Sequence, residues 1–173
     1  MTKSGRRAGS RREQPKLSHY DSAGRARMVD ISAKPPSRRE AEATAMVVMR
    51  PEVLAELHRN PKGDPLEVAR LAGIMAAKRT SDLIPMCHPV PISHADVQAE
   101  VVAGGVHVRA IVSTTAPTGV EMEAMVAASI AALTVYDMCK ALDKGIEIRE
   151  VELQRKLGGK SGAYIRSSKR EAL

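Results

Sequence analysis

"VEMEAMVAASIAALTVYDMCKALDK", residues 120–144, decides how the rest of the chain must fold. A helix advances about 100° per residue, which puts Val126, Ile130 and Leu133 on one side and Ala127, Ala131, Val135 and Met138 on another. A helix apolar all round belongs in a large core, a membrane or a subunit interface. The uncharged run from Ala124 to Tyr136 is 13 residues long, short of the roughly 20 that a bilayer requires. The segment is therefore expected inside protein. Its charges, Glu121, Glu123, Asp137 and Lys140, are expected to line a buried site, because stranding a charge in an apolar interface is costly unless it is paired or meets a ligand.

What surrounds the helix must be built without large rings. Of 173 residues none is Phe or Trp and three are Tyr, so the core draws on Ala, Val, Leu, Ile and Met and favours close helix contact over aromatic anchoring. The length fits one domain with a modest core, and covering by a second subunit is expected. The net charge of +7 sits at the ends: residues 1–27 hold eight Lys and Arg against Glu13 and Asp21, and residues 160–173 hold four against Glu171. A basic balance confined to the termini is a poor reason to expect nucleic acid on the folded body. Cys87 and Cys139 are too few for a disulfide scaffold and lack metal-ligand spacing. The basic start lacks an apolar stretch, so a cytoplasmic protein without a membrane segment is expected.

Along the chain, residues 1–16 read as a disordered basic tail, 17–163 as the folded domain and 164–173 as a second basic tail. "SRREAEATAMVVM", 37–49, is ambiguous. Ser37 and Glu40 have capping-box spacing, whereas Ala41, Ala43, Ala45 and Val47 alternate as in a strand. "PEVLAELHRN" reads as a short helix with Pro51 at its start. In "KGDPLEVARLAGIMAAKRT", Asp64 caps a helix over 65–79, Pro65 takes the first position and Glu67 can close a capping box. Small residues at 69, 72, 73, 76 and 77 allow another backbone to come close. "PISHADVQAEVV" and "GVHVRAIVSTT" alternate around Gly104-Gly105 as a hairpin. Gly145 is expected to end the long helix at positive φ, and "IEIREVELQRK" returns as a strand. Three or four strands with two or three helices make an α+β sandwich, an antiparallel sheet packed on helices.

Functional groups concentrate in four places. Lys62-Gly63-Asp64 sits beside a helix start; Lys78 to His88 includes Cys87 and His88, which are adjacent and so point apart, against a nucleophile pair. Glu121 and Glu123 lie in a first turn, where carboxylates suit the helix dipole. Asp137 and Lys140 are spaced to pair. "LGGKSG", 157–162, could cradle phosphate but lacks full P-loop spacing.

Taken together, "MVDISAK", "KGDPLEVARLAGIMAAKRTSDLIPMCHP", "TGVEMEAMVAASIAALTVYDMCKA" and "GGKSG", in this order, resemble the MoaC family of cyclic pyranopterin monophosphate synthases, from about Leu17 to Ala163. The resemblance implies a ferredoxin-like subunit, a strand at 37–49, and a homohexamer, a trimer of dimers with shared sites. It implies a lyase of molybdenum cofactor biosynthesis, converting the cyclic 3′,8-linked dihydro-GTP supplied by a radical enzyme into cyclic pyranopterin monophosphate and pyrophosphate. Lys62, Asp137 and Lys140 match the catalytic residues. Cys87, His88, Glu121, Met122 and Glu123 match substrate contacts, and Lys78, Lys156 and Lys160 fall on basic positions suited to phosphate. Lys62 and the Asp137/Lys140 pair are expected to meet from different chains, with lysine pKa values drawn toward neutrality. Pro117 departs from the family's Lys or Arg there, removing one phosphate contact. No metal site or cofactor is implied, although Mg2+ can accompany a triphosphate. The rival reading, a non-catalytic nucleotide or RNA-binding module using the basic termini, is disfavoured by the lack of stacking rings.

Overall fold

The computed structural model describes residues 20–21, 23–61 and 63–167. The basic tail at 1–16, Lys62 and the last six residues lie outside them. The element order is β1 (Ser37–Val48), α1 (Pro51–Glu56) with a 3₁₀ turn (Leu57–Arg59), α2 (Pro65–Lys78), α3 (Thr80–Leu83), β2 (Ile92–Val102), β3 (Gly105–Ala116), α4 (Glu121–Cys139), β4 (Glu147–Leu157) and β5 (Tyr164–Ile165). The sheet order is β2-β3-β1-β4-β5, and every neighbouring pair is antiparallel. With α2 and α4 as the crossovers, its first four strands have ferredoxin-like topology. Edge strand β5 begins one residue beyond the expected domain end at Ala163 and is also held by Arg166 bonding to Glu152.

β1 answers the ambiguity at 37–49. As the strand between β3 and β4 it bonds on both edges, and its alternation buries Ala41, Ala43, Ala45 and Val47. Those gains outweigh a helix propensity worth only tenths of a kcal/mol per residue. The opposite face is polar: Glu42 accepts from Arg109 Nε at 2.6 Å and Arg155 Nε at 2.7 Å. The Arg109 bond chiefly holds its carboxyl below the ordinary range.

α4 is long and apolar enough to cross a membrane by length and composition, yet it is the core helix here. Nine of its residues are buried, beneath the sheet on one side and α2 on the other. One chain thus covers most of it, more than the sequence led us to expect, and the exposed remainder includes Met122 and Leu133. The small residues of α2 permit this. A Cβ on Gly73 would stand 3.0 Å from the Ala127 carbonyl and 3.2 Å from Ala131 Cβ.

Two local expectations are corrected. Asp64 does cap α2, accepting from the Leu66 amide at 2.9 Å, but Glu67 closes no capping box because Arg70 binds both its oxygens. α4 ends at Cys139, with Lys140 still in the right-handed region. The Leu142 and Asp143 amides fold back on the Cys139 carbonyl and Asp143 Oδ1 accepts from the Gly145 amide. The turn is thus closed by hydrogen bonds, and Gly145 is not among the positive-φ glycines.

Candidate active site

The first turn of α4 opens onto a cavity of about 280 Å³. Three segments wall it: Val29, Ile31 and Lys34 from the strap before β1; Met86, Cys87, His88 and Val90 from the loop after α3; and Thr118, Gly119, Glu121, Met122 and Glu123 from the β3–α4 corner. Pro89 and Pro91 keep the second segment out of helix. His88 Nε2 lies 2.8 Å from the Val29 carbonyl, so this nitrogen carries the proton and His88 fastens the strap. Cys87 is a thiol, its pKa pushed up chiefly by burial, with the Glu123 carboxyl beside it acting in the same direction wherever it is ionised; it is no activated nucleophile.

Glu121 reaches Lys156 of β4, with Nζ 3.7 Å from Oε1, and Lys156 also bonds Ser161 of the glycine-rich loop. That loop turns through Gly158 and Gly159, both at positive φ, and brings Lys160 to a second cavity with Lys34, Ser37 and Arg39. Lys34 lines both cavities. A carboxylate- and imidazole-walled space therefore adjoins a cation-walled one.

Lys34 and Arg39 escaped the sequence reading. Arg39 is one of two adjacent arginines in "SRREAEA", and nothing local marks it. The structure shows its Nε donating to the Ala116 carbonyl at 3.0 Å and its Nη2 to that of Pro117 at 3.1 Å. Arg39 of β1 thus sets a cation beside Pro117, the position where the resemblance implied a Lys or Arg.

The other expected residues lie elsewhere. Lys78 is exposed at the end of α2 and lines neither cavity. Asp137 and Lys140 sit at the far end of α4, about 24 Å from the Glu121 turn at 1.5 Å per residue. They are exposed rather than buried, with side chains 60% and 51% accessible. Lys140 Nζ bonds Asp137 Oδ1 at 2.5 Å, and that bond, followed by the Asp137 charge, raises the lysine pKa instead of drawing it to neutrality. Lys62 lies outside the described residues. Two positions before it, Asn60 Nδ2 donates to the Met138 carbonyl at 2.7 Å, tying that loop to the C-terminal end of α4. Among the described residues no group of three or more His, Cys, Asp and Glu side chains is placed to hold a metal ion.

A ferredoxin-like sandwich with cations, carboxylates and an imidazole converging on paired cavities is the frame of a small-molecule enzyme domain for an anionic ligand. Its sequence says which one: the chain belongs to the MoaC family, whose model matches residues 28–159. It is 53% identical over 154 residues to the cyclic pyranopterin monophosphate synthase of Deinococcus radiodurans, covering 88% of this chain and 91% of that one. The synthases of Roseiflexus sp. and Parvibaculum lavamentivorans are 53% and 52% identical, over 86% of this chain in each case and 97% and 96% of theirs.

Proposed function

We propose that this chain is a cyclic pyranopterin monophosphate synthase of molybdenum cofactor biosynthesis, acting in the cytoplasm on the cyclic 3′,8-linked dihydro-GTP released by a radical enzyme. The observation that carries the reading is the joining of the two cavities through Lys34. The triphosphate fits the space of Lys34, Arg39 and Lys160, and the purine-derived rings fit that of His88, Glu121 and Glu123. A sugar hydroxyl attacks the α-phosphorus, its proton passes to a base, and the bond to the β-phosphate breaks to release pyrophosphate; cations on the non-reacting oxygens stabilise the charge that develops. Mg2+, where used, arrives on the triphosphate. Incubation with the cyclised intermediate should yield a pterin, fluorescent after oxidation, together with pyrophosphate. Absence of both from a folded preparation would refute the assignment.

Asp137 and Lys140 stand at the opposite end of α4 from the cavity, so one chain cannot bring that pair and the cavity residues to one ligand. A second chain, set so that its α4 C-terminus meets the first cavity, completes the site, and a trimer of such dimers makes the expected hexamer. The division then falls between Asp137/Lys140 on one side and His88, Glu121 and Lys156 on the other. Co-expressed Lys140→Ala and His88→Ala subunits should regain part of the activity each lacks alone. Hybrids as inactive as their parents, or a monomeric mass by light scattering, would end the shared-site proposal.

Arg39→Ala should raise KM about tenfold, the worth of one charge-assisted contact, and change kcat much less. Steady-state kinetics measure this, and an unchanged KM would remove Arg39 from phosphate binding.

A further inference from the structure

The two carboxylates opening α4 are two residues apart and occupy opposite surroundings. Glu121 lies at the rim against Lys156, in space that only Gly119 leaves free: a Cβ there would fall 1.8 Å from Glu121 Oε2. Glu123 is 4% exposed and still forms part of the cavity wall with Cys87 and His88. Among the described residues no cation pairs with it. The groups facing it are the Cys87 thiol from the loop after α3 and, along its own helix, the negative charge of Glu121, while Lys34 and His88 belong to the same cavity and His88 is engaged by Val29. Burial first and Glu121 second push the Glu123 carboxyl up, against its own backbone N–H. Neighbouring carboxyl groups in surroundings this different take different roles.

We propose that Glu123 meets the ligand as a neutral carboxylic acid and donates a hydrogen bond to a ring carbonyl or unprotonated ring nitrogen, while Glu121 keeps to the rim beside Lys156. The proposal deepens the function above and rests on it for the identity of the ligand. A substrate carrying a triphosphate would be repelled by a second bare carboxylate beneath its rings, whereas a neutral acid supplies a donor without that repulsion. Loss of the proton would leave an unpaired buried charge facing the acceptor it should serve.

Infrared difference spectra of the ligand-free protein, wild type minus Glu123→Gln, should contain the carbonyl stretch of a protonated carboxyl at neutral pH. Carboxylate bands alone would overturn the proposal whatever the substrate is. In turnover of the cyclised intermediate, Glu123→Gln retains a neutral donor and should stay within about threefold of wild type in KM, whereas Glu123→Ala should raise KM about tenfold or more. Wild-type KM should rise with pH as the proton leaves, and that of the Gln variant should not. Equal losses in the two variants, or a wild-type KM that falls as pH rises, would overturn the proposal. Should the wild type form no pterin at all, the assignment of function fails, and the infrared band still decides the state of Glu123.

Discussion

Lys140→Ala is expected to abolish pterin formation, lowering kcat/KM by about 10²–10⁴-fold, while the thermal midpoint stays where it was. The side chain is half exposed and its bond is to Asp137. Exposed ion pairs contribute little to stability, and residues kept for chemistry seldom stabilise a fold. Because Asp137 raises the lysine pKa, Lys140 is an ammonium at neutral pH, ready to donate a proton or to stabilise developing negative charge. A step needing that ammonium persists through neutrality and declines only as pH rises through the raised value. Asp137→Asn should therefore move the alkaline limb of the pH profile to lower pH. Wild-type turnover by Lys140→Ala would remove this residue from the mechanism, and the same outcome in Lys62→Ala would remove Lys62.

Gly105→Ala should produce the largest loss of stability, at least about 3 kcal/mol, at the upper end for overpacking. A Cβ there would lie 2.0 Å from the Val47 carbonyl oxygen, which is main chain and cannot swing aside. Gly105 starts β3 opposite Val48, and the Met49 amide bonds the Gly104 carbonyl at 3.1 Å, so relief would require opening the β1–β3 seam at the centre of the sheet. Gly104→Ala is the control. Its φ of +83° disfavours a side chain, but nothing stands within 4 Å of the added Cβ, and its cost should be about 1 kcal/mol. Urea unfolding of the two variants measures the difference. Equal midpoints would mean that the seam absorbs the methyl group.

The hairpin, the Asp64 cap, the long helix and the strand at 147–157 were legible in the sequence because each is written in a local signal: a glycine turn, a capping side chain, or an apolar period of 2 or 3.6 residues. Four long motifs in order also carried the family, and with it most of the residues that wall the cavity, including His88, Glu121 and Glu123. The strand at β1 was open on local grounds, since Ser37 and Glu40 argue for helix as well as Ala41, Ala43 and Ala45 argue for strand. Pairing with β3 on one edge and β4 on the other decides it. Tertiary structure also sets which charges are buried. Glu121 and Glu123 look alike in sequence, yet one reaches Lys156 and the other is sunk against Cys87. Asp137 and Lys140, expected in the interior, project from a turn that the fold leaves uncovered. Arg39 gained its place only when β1 lay beside β3 and Pro117. Periodicity states which face of an element is apolar, but the depth of a polar group depends on what other elements cover it, and those contacts join residues up to 113 positions apart.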